Sequence, residues 1–251
     1  MSIALETQGL EKSFGGLRVT RDLSLKVVQG ARHALIGPNG AGKTTLVNLI
    51  TGVLRPSAGQ ILLDGEDITA LPQADRTRRG IARTFQINQL FRGLTVLENV
   101  YLAVAERIGA SHRLWRPAGA EREVIDQALA QLESLRLADD ALTPVRELPY
   151  GRQRLVEIAI ALAQHPRVLL LDEPAAGVPS SESHLILDVI GALDPDIAIL
   201  IIEHDMDVVF RFASRITVLV AGAVLTEGTP HEIRADARVR AVYLGEEFPH
   251  G

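Results

Sequence analysis

Apolar and polar positions alternate at the N-terminus, where Ile3 and Leu5, then Leu23, Leu25 and Val27, are separated by polar residues. A period of two predicts half-buried antiparallel strands. Further on the apolar residues become continuous. Arg32 to Ile36, Val168 to Leu171 and Ala198 to Ile202 read as strands buried in an α/β core. Gly59 to Gly65 predicts a short strand closed by an Asp-Gly turn, and Ile216 to Val220 with Ala223 to Thr226 flank Ala221-Gly222 as a hairpin. Helical spacing covers Thr45 to Ile50, Val96 to Arg107, Glu121 to Leu137 (apolar at Leu129, Leu132, Leu135 and Leu137) and about Glu182 to Leu193, and weakly Pro230 to Leu244. Residues from about 88 to 165 carry no strand pattern. The expectation is one α/β domain over 1–251, with a mixed sheet core, an N-terminal antiparallel β part and an inserted helical lobe.

Composition narrows the class without changing that picture. The chain has 251 residues, 47% hydrophobic and 23% charged, with a net charge of −5. No basic field draws it to nucleic acid, so none is expected as a partner. The absence of cysteine excludes disulfides and thiolate metal sites. Met1 to Glu6 lacks the basic start and apolar core of a signal peptide, and the longest apolar runs fall short of the ~18 residues of a membrane helix.

The chemistry centres on Gly37-Pro38-Asn39-Gly40-Ala41-Gly42-Lys43-Thr44-Thr45, which fits the phosphate-binding P-loop pattern in its required setting, strand before and helix after. The glycines let backbone N–H groups approach phosphate oxygens, and the helix N-terminus faces the same anion. Lys43 adds charge at the β- and γ-phosphates, and the Thr44 hydroxyl suits Mg²⁺. Two apolar strands end in acid or histidine, Leu171 into Asp172-Glu173 and Ile202 into Glu203-His204. Ligands sit beyond the carboxyl ends of parallel strands, so Lys43, Asp172, Glu173 and His204 are expected to converge. Asp172 is then the Mg²⁺ anchor, Glu173 orients or deprotonates water, and His204 bonds the γ-phosphate or that water. Phe14, before Gly15-Gly16, is either a core ring at a hairpin or an adenine-stacking ring, and burial is the commoner fate. Arg76, Arg78, Arg79 and Arg83 read as a solvated face. Trp115, between arginines in His112 to Pro117, reads as local packing before a lipid or partner contact.

These pieces, in order, resemble the ATP-binding cassette (ABC) ATPase subunit of a transporter: Gly37 to Thr45 as Walker A, Gln86 as the Q-loop, Leu148-Pro149-Tyr150-Gly151-Arg152 at the signature, Leu169 to Glu173 as Walker B, Ala175 to Pro179 at the D-loop and His204 as the H-loop. Phe14 to Leu17, Ile81 to Gln86, Asp172 to Gly177, Ile202 to Met206 and Tyr243 to Glu246 are similar to the branched-chain amino-acid uptake group. The resemblance implies ATP and Mg²⁺ as cofactors, Phe14 stacked on adenine, Gln86 with Thr44 and Asp172 at the metal, and Tyr150, Gly151 and Arg152 at a nucleotide held by a second, different cassette. It also implies two permease subunits docked on the helical lobe, an extracytoplasmic binding protein, and a peripheral place on the cytoplasmic face of the bacterial inner membrane. Alternative cargoes are urea, amides, aromatic acids or lipopolysaccharide, and a soluble non-transport ABC ATPase is the other class. The signature departs from Leu-Ser-Gly-Gly-Gln: Pro149 has neither hydroxyl nor N–H, and Pro179 stands at the D-loop aspartate position.

Overall fold

The N-terminal alternation becomes a long hairpin. In the computed structural model, which describes residues 2–84, 90–109 and 120–243, β1 (Ile3–Phe14) runs antiparallel to β2 (Leu17–Val28), with Leu5 opposite Val27 and Thr7 opposite Leu25. Joined by β4 (Ala58–Leu63) and β5 (Glu66–Asp67), they form a four-stranded antiparallel sheet in the order β2-β1-β4-β5. The Asp64-Gly65 turn between the last two has both residues at positive φ, 49° and 82°, the geometry Asp-Gly favours in a tight hairpin.

The second sheet is mixed. β3 (Arg32–Ile36), β6 (Ile81–Arg83), β7 (Val168–Asp172), β8 (Ala198–Ile202) and β9 (Arg215–Val220) are parallel, and β10 (Ala223–Gly228) closes the edge antiparallel to β9; the order is β10-β9-β3-β8-β7-β6. The continuous apolar runs reflect burial on both faces. Leu35, Leu170 and Leu200 face a core shared with the antiparallel sheet and α1 (Lys43–Ile50). Their neighbours Ala34, Ile36, Leu169, Leu171, Ile199 and Ile201 face a core of helices on the other side.

Those helices are α3 (Val96–Arg107), α4 (Ala120–Ser134) and α5 (Tyr150–Leu162), which lie between β6 and β7, with α6 (Ser180–Gly191), α7 (Met206–Phe212), α8 (Pro230–Ala235) and α9 (Ala237–Tyr243) following. α3 starts where a capping box forms: the Thr95 hydroxyl accepts the Glu98 N–H, and Glu98 accepts the Thr95 N–H. Among the described residues of 90–165 there is no strand, only an isolated bridge between Thr95 and Pro144. Val100, Val104, Leu132 and Val156 belong to a core that is continuous with Leu169 and Ile201 of the sheet; α3 and α4 pack against each other and against α5, and α5 reaches β6. Leu129, predicted to be apolar-facing, is instead exposed.

The basic run is only half a solvated face. Arg76, at the heart of α2 (Gln73–Arg78), is 1% exposed. Its guanidinium donates to the carbonyls of Leu49, Ile50, Thr69 and Leu71 at 2.6, 2.8, 2.8 and 3.0 Å. Arg83 is also drawn inward, leaving Arg78 and Arg79 as the exposed pair. Phe85, Gln86 and the Trp115 loop lie outside the described residues. Among the described residues no helix is long and apolar enough to cross a membrane.

Candidate active site

β3, β8 and β7 lie side by side and parallel, so the turns leaving their carboxyl ends share one edge of the sheet. The turn after β3 is the glycine loop, and α1 starts at its end. Gly42 is the N-cap of α1 with φ 99°, a conformation that side chains other than glycine adopt at a cost. The α1 N-terminus therefore opens onto the loop with no side-chain cap, the arrangement that suits an anion. Lys43 is folded into the loop, its Nζ donating to the carbonyls of Gly37 and Pro38 at 2.5 and 3.1 Å. Burial lowers its pKa, and the nearby carboxylates Glu173 and Asp172 oppose that shift. Asn39, Gly40 and Thr44 are exposed, while Pro38 and Thr45 are half-buried and Gly37 and Ala41 are buried.

The end of β7 supplies Asp172. Its Oδ2 accepts Arg83 Nη2 at 2.6 Å, and Arg83 Nη1 donates to Asn48 Oδ1 of α1 at 2.8 Å. A single arginine thus ties the acidic strand end to the P-loop helix. Arg83 reaches that place because β6 pairs with β7 in a register that sets Arg83 opposite Leu170. Glu173 follows in a left-handed conformation, φ 47°, which aims its carboxylate across to β8, where Oε1 lies 3.3 Å from His204 Nδ1. Glu203 points the other way: it is 1% exposed, and its Oε2 accepts the His204 N–H at 3.2 Å. Burial raises the Glu203 pKa, opposed by backbone N–H groups of Ala175 and His204. Of the two glutamates at these strand ends, Glu173 is the one open to a ligand.

Phe14 is 47% exposed at the tip of the β1–β2 hairpin, with Lys12 Nζ 5.1 Å from its ring centre. The core alternative for this ring is therefore excluded. The 148–152 segment sits at the start of α5, where Pro149 is the N-cap and provides no side-chain bond. The Gly151 N–H donates to Glu182 Oε2 of α6 at 3.2 Å, Arg152 pairs with Asp140 and donates to the Arg136 carbonyl at 3.3 Å, and the Tyr150 hydroxyl accepts Arg154 Nη2 at 3.2 Å. None of these partners belongs to the P-loop. Sequence reasoning missed Asn48, Arg83, Asp140 and Glu182; only the Ile81-to-Gln86 similarity hinted at Arg83.

A family model described as ABC transporter matches residues 20–176, and one described as branched-chain amino acid ATP-binding cassette transporter matches residues 223–249. The chain belongs to the ABC transporter family. It is 39% identical over 249 residues to the high-affinity branched-chain amino acid transport ATP-binding protein BraF of Pseudomonas aeruginosa, covering 96% of this chain and 98% of that protein. Its structure resembles the ADP conformation of MJ1267, an ATP-binding cassette of an ABC transporter, with a TM-score of 0.86 at 32% identity, covering 98% of this cassette and 100% of that one. It also resembles the cassette MJ0796, solved as a dimer in a post-hydrolysis state bound to ADP and Pi, with a TM-score of 0.74 at 26% identity over 90% of this cassette and 98% of that chain. The fold expected from the sequence, an ABC cassette on a mixed sheet, is thereby confirmed, and the cassette is an ATPase subunit that binds nucleotide.

Proposed function

We propose that this cassette powers an importer of branched-chain amino acids by hydrolysing ATP. The observation that carries the chemistry is the contact of Glu173 with His204 on the sheet edge that also holds the P-loop and Asp172. Phosphates enter the glycine loop (Gly37 to Thr45), and Lys43 exchanges the carbonyls of Gly37 and Pro38 for β- and γ-phosphate oxygens. Glu173 orients or deprotonates the attacking water, while His204 bonds that water or the γ-phosphate. Phe14 stacks on adenine. One carboxylate at Asp172 and one hydroxyl at Thr44, with phosphates and water, suit Mg²⁺, which takes few protein ligands. Mg²⁺ held by Asp172 and Thr44 would neutralise phosphate charge. Gln86 is proposed as a further contact at the metal.

A second cassette, a different chain stacked head to tail, presents its own signature to this ATP, as this chain's Tyr150, Gly151 and Arg152 do in return. Such pairing makes both sites at once. The proposed partners are two permease subunits on the helical part and an extracytoplasmic binding protein, with the cassette peripheral on the cytoplasmic face of the inner membrane. The cargo rests on the similarity to BraF and on the match over 223–249. Co-purification of the tagged chain from native membranes in mild detergent tests this reading. Recovery of two permease chains, a second cassette and a binding protein selective for branched-chain amino acids is the expected result. Recovery of ribosomes or repair factors overturns it.

A further inference from the structure

The base-stacking ring and the phosphate loop belong to different sheets: Phe14 ends β1 of the antiparallel sheet, whereas the P-loop leaves β3 of the mixed one. Three backbone segments meet where the sheets touch beside the site. The Gly222 N–H, in the β9–β10 turn, donates to the Ala41 carbonyl of the P-loop at 3.0 Å, and the Gly222 carbonyl accepts the Arg21 N–H of β2 at 2.8 Å. β2 is an edge strand, so its free side is open to this contact. The junction leaves no room for a side chain. A Cβ on Gly222, which has φ 83°, falls 2.1 Å from the Val19 carbonyl oxygen of β2; one on Gly42 falls 3.1 Å from the same oxygen and 3.6 Å from the Gly222 Cα. Ala221 is itself held at φ 48°, the kind of local strain that a surrounding structure must impose.

We propose that the Ala221-Gly222 turn is a positioning element for the nucleotide: it clamps β2 against the P-loop and so sets the spacing between the Phe14 ring and the triphosphate. The clamp rests on reading Phe14 as the adenine-stacking residue. Strand β2 carries the setting to the ring, because Thr20 lies opposite Lys12 and Leu17 opposite Phe14 in the same hairpin. Moving β2 outward shifts the ring but leaves the loop's own phosphate contacts in place. The clamp therefore favours a nucleoside triphosphate over a bare polyphosphate.

Calorimetric titration of the full chain with MgATP and with magnesium tripolyphosphate, alongside thermal melting, tests this. Gly222→Ala is expected to weaken ATP by about tenfold, the scale of a lost base stack, and to hold tripolyphosphate within about twofold. Equal losses for both ligands, or none for either, overturn the clamp. Phe14→Ala separates it from the reading beneath it. If Phe14→Ala leaves ATP affinity unchanged, the stacking role fails and the clamp with it; if Phe14→Ala weakens ATP while Gly222→Ala does not, the clamp alone fails. Should Gly222→Ala not fold, Arg21→Pro removes the N–H that the Gly222 carbonyl accepts, at a position outside the β1–β2 register, and the same affinity ratio decides.

Discussion

Glu173, the residue proposed to act on the attacking water, shows how backbone conformation directs a single side chain. A glutamate at φ 47° holds about 1–3 kcal/mol of backbone strain. Its N–H donates to the Ile202 carbonyl at 2.9 Å and its carbonyl accepts the Ala176 N–H at 3.1 Å, so strand β8 and the following turn impose the conformation. The carboxylate then lies beside His204 rather than in the core, where Glu203 sits. Glu173→Gln keeps the shape and the hydrogen-bonding reach but cannot take a proton. It is expected to bind ATP as the native chain does and to lose turnover by about 10²–10⁴-fold, read by phosphate release and equilibrium nucleotide binding; native-rate hydrolysis removes the role given to Glu173. At this scale the strand-end acids were legible, since an apolar run ending in Asp-Glu beside a P-loop is a local pattern. The arginines were not. Arg76, Arg78, Arg79 and Arg83 look alike in sequence, yet Arg76 is buried and Arg83 pairs with Asp172.

The element on which the site depends is α1, only eight residues long. A helix so short is unstable alone, and it has no basic residue in its last turn. Its C-terminal carbonyls, Leu49 and Ile50, are answered by Arg76 from α2, a cation at the negative end of the helix dipole. The opposite end is left free for phosphate. Arg76→Met keeps much of the stem's packing but takes a donor from four carbonyls, two of them at that terminus, and of these Leu49 keeps the Gly52 N–H at 3.2 Å. A loss of about 3 kcal/mol is expected, visible as a lower thermal midpoint in the absence of nucleotide. A change below about 0.5 kcal/mol, the range of ordinary surface substitutions, shows the cap to be dispensable. The helix itself was legible from its apolar spacing. Its cap was not, because the capping residue lies in a different helix.

Over the whole molecule, burial decides how stability follows pH. His33 of β3 is fully buried. Its Nε2 lies 2.8 Å from Thr217 Oγ1, which donates to Glu227 Oε2 at 2.7 Å, and Arg215 Nε donates to Glu227 Oε1 at 2.5 Å. Burial drives the His33 pKa down to about 4, opposed by the Glu227 charge and assisted by Arg215. The folded chain thus keeps this ring neutral where the unfolded chain, near pKa 6.5, takes up a proton. Stability from this group is complete above about pH 6.5 and is lost as pH falls toward 4. Denaturant unfolding at pH 7 and pH 4 is expected to show His33→Gln losing about 3 kcal/mol less than the native chain over that interval; identical acid limbs exclude His33 as a source. By itself the sequence determined the order of the elements, the phosphate loop and the acids and histidine at two strand ends, because periodicity and turn chemistry depend on near neighbours. Only the tertiary structure decided the strand order, which arginines are buried, the Glu182 carboxylate on Gly151 and the junction of Gly222 with Ala41 and Arg21. Each of those depends on which distant segments share a surface, as Arg83 and Asp172 do across 89 positions, and no local pattern in the chain records that choice.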